Sequence, residues 1–463
     1  MAHHFPLLGM EIDTGREIAW RRDYVSGKET GPGYFRRIPY LDASVAGDHK
    51  IIWELNRHQH LVLLAQAYLL TERREYLDEI RAQLDSWFDA NPMQRGINWA
   101  SALEVAFRSL SWMWLDHLVG KDLGEARRRR LRTGLYQHAF HLEANLSVYF
   151  SPNTHLLGEA VALHALGLMF PGTKAAERWK QVGARIVAEE MQRQVRADGS
   201  HFEQSSYYHV YALDMFLFHA ILRTPDEQYR CGLENMAVYL EALIGPSRVL
   251  PLLGDDDGGR FFHPYGRRDH FARATLAACG CFLKRAEWIG SRDDLQDVAV
   301  WWLKPETCSQ RIDAEIPRGD SVCFKDAGIV VMRSEAAHCI VDAGPFGPFR
   351  GGHSHADTLS IVASANGSAL LIDPGTYSYS DPLWRNTFRG TAAHNTVRIG
   401  SLDQAEPAGP FGWHAPPRVG ILEWRTDAAA DFLDAVCSYR GFRHRRRVFF
   451  HKPDLLFVID EVE

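Results

Sequence analysis

"RGGHSHADTLSIVASANGSALLIDPGT" spans residues 350 to 376. Its second half holds two short runs rich in Ile, Val and Leu around "ANGS", which reads as a hairpin turn between antiparallel strands. Its first half sets His353, His355 and Asp357 on alternate positions, which share one face if the chain is extended there. The surroundings carry the same texture. "GIVVMRS", "AHCIVDAG", "HNTVRIG" and "RVFFHKPDLLFVIDE" are short, β-branched and broken by Gly, Asn and Pro, and "KPD" reads as a second hairpin turn. The C-terminal part is therefore expected to be an antiparallel β-domain, a sandwich.

Upstream the period changes. From about residue 48 to 300, apolar residues recur at i, i+3, i+4 and i+7, as in "WELNRHQHLVLLAQAYLL" and "ASALEVAFRSLSWMWLDHLV". Further helical stretches fall at 127–147, 153–169, 174–196, 206–223, 227–244 and 267–288, separated by breakers such as "ANPMQRG", "RADGS" and "GDDDGG". Many helices of similar length in series indicate a helical bundle or an α/α toroid. The change of period places the boundary near "RIDAEIPRGD", giving a helical domain over 1–315 and a β-sandwich domain over 316–463. The chain stops just after a strong strand pattern, which leaves room for truncation of the β-domain at its C-terminus.

Composition narrows the function. The 463 residues are 46% hydrophobic and 24% charged, with a net charge of −6. A pI near 6.4 argues against a general nucleic-acid binder. No apolar run reaches the roughly 18 residues that a membrane helix needs, so no membrane insertion is expected. Seven cysteines without CxxC pairs form neither a zinc ribbon nor a disulfide framework, and read as buried free thiols. The start, "MAHHFPLLGMEID", shows no signal peptide.

Chemistry-bearing residues fall in both parts. "SPNTHLLGEA" puts Asn153 and His155 at a helix start, where Asn alone most often serves as a cap. "ADGSHFEQSSYYHVYALDMF" gathers His201, Glu203, Tyr207, Tyr208 and His209 after a loop, a plausible wall of a cleft. "GINWASALEVAFR" adds Asn98, Trp99, Glu104 and Arg108, with Trp99 able to stack on a sugar face. On the β side, "ANGS" lies about midway between His355 and Asp373, so strand arithmetic sets those two on adjacent antiparallel strands, with His394 on another. Two imidazoles and one carboxylate suit Zn2+. The local alternative, His353–His355–Asp357, strings its ligands along ~7 Å of strand at ~3.3 Å per residue and fits a ~2 Å ligand sphere poorly. "GDDDGGRFF" (Asp255 to Asp257) offers carboxylates to Ca2+ but lacks the alternating oxygen ligands of an EF-hand, and reads as a solvated loop. "RRRRLR" at 127–132 reads as a solvated helix face.

The run from "GGHSHADTLSIVASANGSALLIDPGTYSYS" through "WRNTFRGTAAHNTVRIG", after "NTHLLGEA" and "DGSHFEQSSYYH", resembles the heparinase II/III-like polysaccharide lyases. The likeness runs from about residue 50 to the end. It implies an incomplete (α/α) toroid followed by an antiparallel β-sandwich domain. It also implies β-elimination on an anionic, uronic-acid-containing polysaccharide, which leaves a 4,5-unsaturated uronate end. By family analogy the protein would be periplasmic or secreted.

Such elimination must neutralise the uronate carboxylate, remove the C5 proton and protonate the departing O4 oxygen. The resemblance assigns carboxylate neutralisation to Asn153, the proton steps to Tyr208 and His353, and one mainly structural Zn2+ per chain to His355, Asp373 and His394. Thr154 intervenes in "NTH" where the family often has Asn directly before His, so Asn153 and His155 share the first role, and Tyr207 competes with Tyr208 by one residue. Asn98, Trp99, Arg108, His201, Glu203 and Arg389 are the expected substrate contacts. Two other classes compete. One is a glycoside hydrolase on an α/α toroid using a pair such as Glu104 with Glu203. The other is a non-catalytic polysaccharide-binding protein of an exopolysaccharide system.

Overall fold

Helices of two kinds alternate along the first two-thirds of the chain. After the short α1 (Ala43–Ala46), α2 (His49–Asn56) and α3 (Gln59–Thr71) come α4 (Arg74–Ala90), α5 (Ala102–Val119) and α6 (Glu125–Asn145). They are followed by α7 (Thr154–Met169), α8 (Lys174–Gln194), α9 (Ser206–Leu222) and α10 (Glu227–Ile244). The shorter α11 (Phe271–Leu283) and α12 (Ala299–Trp302) end the helical part. The helices α5, α7 and α9 are buried along most of their length, whereas α4, α6, α8 and α10 each keep an exposed polar face. A helix that is apolar all round has to be enclosed, and one with a polar face has to border water. Alternation of the two in chain order is what an (α/α) arrangement of inner and outer helices requires.

The computed structural model describes residues 3–262, 268–308, 319–379 and 381–463. The expected boundary at 311–320 falls largely on 309–318, outside the described residues. A hairpin of β1 (His4–Leu7) and β2 (Met10–Asp13) precedes the helices. It was not expected, because four-residue strands are too short for a period of two to register. Two compact units are distinguished, Met1–Glu190 with Gly258–Gly266, and Met191–Asp257 with Arg267–Glu463.

In the first unit α5 packs against α3, α6 and α7. Two glycines let α7 and α8 approach closely: a Cβ on Gly167 would lie 2.4 Å from the Lys180 nitrogen, and one on Gly183 would lie 2.5 Å from the His164 nitrogen. The arginines of "RRRRLR" pair with carboxylates, Arg127 with Asp85, Arg128 and Arg132 with Asp116, and Arg130 with Asp89, as a solvated face does.

The second unit joins α9 to α12 with the strands. A five-stranded antiparallel sheet runs in sequence order through β3 (Val322–Phe324), β4 (Ile329–Arg333), β5 (Ala337–Asp342), β6 (Ile361–Ala365) and β7 (Ser368–Leu371). The expected turn closes β6 onto β7, with Asn366 and Gly367 both at positive φ (50° and 75°) as a two-residue hairpin turn demands. Short helical turns, α13 (Pro348–Gly351) and α14 (Pro382–Phe388), interrupt the loops after β5 and β7. The small hairpin β8 (Glu406–Pro407) and β9 (Trp413–His414) comes next.

A four-stranded meander follows, of β10 (Arg418–Thr426), β11 (Ala430–Tyr439), β12 (Phe442–His451) and β13 (Leu455–Val462). Val330, Met332, Cys339 and Val341 of the first sheet pack on Leu433, Ala435, Cys437, Val448 and Phe450 of the second, which makes the expected sandwich. The first sheet's other face, Ile329, Val331 and Ile340, is covered by Tyr239, Ala242 and Leu243 of α10. Burial on both faces explains why β4 reads as an unbroken apolar run. Of the seven cysteines, all free, Cys279, Cys281, Cys339 and Cys437 are buried as expected, but Cys231 is exposed.

The loop entering α7 is held by an unusual group. Glu159 is fully buried and takes the Ser147 backbone N–H at 2.7 Å and its hydroxyl at 2.6 Å. Burial pushes its carboxyl up from 4.5 to about 8, against the opposing Ser147 hydrogen bonds. The folded chain thus keeps a proton that the unfolded chain gives up at lower pH. Stability from this group is full below about 4.5 and is lost as pH rises towards about 8. Glu159→Gln, which cannot ionise, should raise the melting temperature at pH 8, flatten its fall between pH 5 and 8, and gain on the order of a few kcal/mol at the alkaline end. Parallel melting curves for the two proteins across that range would contradict the assignment.

Candidate active site and metal centre

Three loops of the second unit meet at one carboxylate. Asp255 is 0% exposed, and its four acceptor positions are all used. Arg385 of α14 grips it with two nitrogens, one on each oxygen. His353 Nδ1 lies 3.1 Å from Oδ2, and His355 Nε2 lies 3.0 Å from Oδ1. Burial alone would raise the Asp255 carboxyl, but the Arg385 charge and the two histidine hydrogen bonds outweigh it and hold the group well below the usual carboxylate range. The reading of "GDDDGG" as a solvated loop is therefore corrected. Its backbone is sewn in as well: Ser206 N–H donates to Leu253 O, Asp255 N–H to His353 O and Asp256 N–H to the Thr376 hydroxyl. Gly254 makes the threading feasible, since a Cβ there would lie 2.7 Å from His353 O and 2.8 Å from Gln204 O.

Residues 353–357 are not a strand. They follow α13, where Phe349 and Arg350 take positive φ, and precede β6 as irregular loop. The alternation that suggested a strand arises instead because His353 and His355 both reach one carboxylate from a loop. The two histidines differ in access. The His353 side chain is 12% exposed and the His355 side chain 0%, so only the former can meet a ligand.

Tyr208 sits in the first turn of α9, capped by Ser205, whose hydroxyl accepts the Tyr208 N–H. Its ring stacks on His353 with centroids 3.8 Å apart and an angle of 22°. Its hydroxyl donates to Asp257 at 3.1 Å and lies 3.4 Å from the Tyr379 hydroxyl. Burial, then the negative charge of Asp257 and the neighbouring Tyr379, push the Tyr208 phenol well above 10, so it is a protonated donor at neutral pH. Glu203 lies 3.2 Å from His353 Nε2. Burial would lower the His353 imidazole, but the Asp255 hydrogen bond and the charges of Glu203 and Asp255 outweigh it and raise it. Tyr207 faces elsewhere, with its ring 4.8 Å from that of Phe271.

His355, Asp373 and His394 come together, with one ligand atom from each within 4.8 Å of the others. They arrive from loops rather than from three strands: His355 precedes β6, Asp373 follows β7, and His394 ends the 3-10 turn Thr391–Ala393. Strand arithmetic named the right neighbours but not their register: Asp373 lies two residues past β7, opposite the start of β6, and the loop before β6 carries His355 back to it. His394 Nδ1 is 2.8 Å from Asp373 Oδ2. His355 Nδ1 and His394 Nε2 are buried without a hydrogen-bond partner among the described residues. Buried imidazole nitrogens left open beside a buried carboxylate fit a metal ion. Asp357 is buried beside the same two histidines, and burial raises its carboxyl despite their charge.

The other expected residues are placed differently. In the first unit Asn153 is the N-cap of α7, its side chain accepting the His155 N–H at 3.1 Å. Asn98, Trp99 and Arg108 are buried rather than presented to a ligand. Asn98 donates to Trp20 O and Asn91 Oδ1, and Arg108 donates to Asn98 O and lies over Trp87. The Trp99 ring packs on His138 and His141. In the second unit His201 is buried on Gln194. Arg389 is buried on Gly409 O, Pro410 O and the Trp413 ring, and its own carbonyl accepts the Ala356 N–H. These five brace the fold because each has its polar atoms turned inward. Of the three expected contacts in the second unit, Glu203 reaches the Tyr208–His353 pair.

An α/α-helical part followed by an antiparallel sandwich is the architecture of solved heparinase structures. The chain covers 88% of itself and 62% of a crystal structure of heparinase III, with a TM-score of 0.69 and 20% identity. It likewise covers 99% of itself and 66% of the heparan sulfate lyase HepC of Pedobacter heparinus, with a TM-score of 0.60 and 24% identity. At these identities the likeness speaks for the fold, and it bears out the expected class. Residues 1–259 match the heparinase II/III N-terminus and residues 316–463 the heparinase II/III-like C-terminal region. The chain belongs to the heparinase II/III-like family. Among characterised relatives it is 23% identical over 455 residues to a heparin-sulfate lyase of Bacteroides stercoris and 24% identical over 444 residues to one of Pedobacter heparinus. It covers 90% and 89% of itself in these matches, but spans only 62% and 60% of the relatives' lengths.

The metal cluster can be tested without any substrate. Purified protein should carry about one divalent ion per chain, and His394→Ala should lose most of it. EDTA should lower the melting temperature, since metal binding is linked to folding. Full metal occupancy in His394→Ala would rule out this ligand set.

Proposed function

We propose that this protein is a polysaccharide lyase that cleaves a uronic-acid-containing polysaccharide by β-elimination, leaving a 4,5-unsaturated uronate end. The observation that carries the reading is the stack of Tyr208 on His353, which sets a buried phenol and a partly open imidazole side by side. Elimination needs two proton carriers within about 3 Å of neighbouring sugar atoms, and such a pair supplies them. The heparin-sulfate lyases among the relatives point to the same class of polymer.

Tyr208 enters the reaction protonated and is the donor to the departing O4 oxygen. In its neutral form His353 takes the C5 proton at Nε2, because Nδ1 is occupied by Asp255, and the raised imidazole places that form towards the alkaline side. Glu203, 3.2 Å from Nε2, pairs with the imidazolium that results. Asn153, with His155 beside it, is the candidate for neutralising the uronate carboxylate, a role that rests on the resemblance of "NTHLLGEA" to the family. The metal cluster is assigned one Zn2+, matched to two imidazoles and a carboxylate. An ion held there would brace the wall behind His353, and the proton transfers themselves are done by Tyr208 and His353. The hydrolase alternative needs a carboxyl kept protonated. Glu104 is instead paired with Arg57 at 2.7 Å in a buried ion pair that keeps it ionised.

Tyr208→Phe keeps the ring and removes the hydroxyl. It should abolish the ultraviolet absorbance that a conjugated 4,5-unsaturated uronate gives, while folding and polysaccharide binding stay close to wild type. Tyr207→Phe should be nearly silent. His353→Ala should lower turnover by about 10²–10⁴ with metal content unchanged, the scale of a lost general acid or base. Retained lysis in both the Tyr208 and the His353 variants, or product without the absorbance, would contradict the reading.

A further inference from the structure

We propose that Asp255 is a positioning residue that builds the proton-transfer site and the metal site as one unit, fixing the ring orientation and tautomer of both His353 and His355. Asp255 is fully buried and doubly bonded by Arg385, which makes it an ionised group that only accepts hydrogen bonds. Every ring nitrogen that bonds to it must therefore be the donor. His353 then carries a proton on Nδ1, with Nε2, the nitrogen that Glu203 faces, left for proton transfer. His355 carries its proton on Nε2 and is left with Nδ1, a buried nitrogen without a hydrogen-bond partner among the described residues, for the metal. Opposite tautomers of two histidines two residues apart are thus set by the two oxygens of one side chain. An asparagine cannot reproduce this, because its amide nitrogen donates where a histidine also donates. The consequence is that metal retention depends on a residue that does not touch the metal, as carboxylates behind metal-bound histidines generally do.

The turnover arm rests on the lyase reading, whereas the metal arm does not. Asp255→Asn leaves Arg385 buried without its partner and can unfold the protein. The charge-balanced pair Asp255→Asn with Arg385→Gln, and the milder Arg385→Lys, are therefore made alongside it. Zinc affinity is measured by competition with a chelator, kcat and KM by ultraviolet assay, and folding by circular dichroism. In the folded charge-balanced variant, zinc affinity should fall 10–100-fold. The kcat value should fall at least tenfold with KM within about threefold, and adding His353→Ala should cost little more, since both changes disable the same group. Arg385→Lys should move zinc affinity and kcat the same way by a smaller factor. Wild-type zinc affinity in a folded variant, or losses in kcat that multiply with His353→Ala, would overturn the proposal. Should His353→Ala alone keep wild-type turnover, the lyase reading fails, and the zinc measurement still decides the role of Asp255.

Discussion

The buried ion pair of Asp255 with Arg385 is the constraint on which the candidate site depends. It joins the loop before α11 to α14, 130 positions away, and both histidines of the 353–357 loop attach to the same carboxylate. A pair so deeply buried adds little net stability, because desolvation offsets most of the attraction, but removing one partner typically costs ~3–5 kcal/mol. Its value lies in geometry. With two guanidinium nitrogens on two oxygens, the carboxylate cannot rotate, and neither can the rings that lean on it. Gly254, the Ser205 cap and the Thr376 hydroxyl hold the backbone on either side of it.

Two histidines separated by one serine differ both in access and in the groups they meet. His355 is sealed and clusters with Asp373 and His394, its Nδ1 without a hydrogen-bond partner among the described residues. His353 is partly open, lies against the Tyr208 ring and has Glu203 at its outer nitrogen. The phenol between Asp257 and Tyr379 is kept protonated by burial and by negative charge, which suits a donor better than an acceptor.

Much of this was legible in the sequence where the information is local. The helix limits from 154 to 244 agree with the apolar period to within a few residues, because those helices carry strong periodicity and clear breakers. The hairpin at Asn366–Gly367 follows from the only residues that tolerate its backbone. The grouping of His355 with Asp373 came from the turn between them, and His394 joined it from a separate motif and the family resemblance. What escaped depends on contacts far apart in the chain. Asp255 looked like one acid among three in a glycine-rich turn, and only its meeting with Arg385 makes it central. Asn98, Trp99 and Arg108 looked like a sugar platform because indole and guanidinium groups serve both surfaces and cores. Here they pack on one another in the interior of the first unit. Periodicity also could not show that 353–357 is loop, since alternation fits any segment whose residues face one partner.

Whether one carboxylate sets two opposite tautomers can be read by ring-nitrogen NMR. Long-range proton–nitrogen correlation on zinc-free and zinc-loaded protein reports which nitrogen of each imidazole carries hydrogen. A proton is expected on Nδ1 of His353 and on Nε2 of His355 in both states. A His355 protonated on Nδ1 before zinc is added, or a His353 whose Nδ1 is bare, would contradict it.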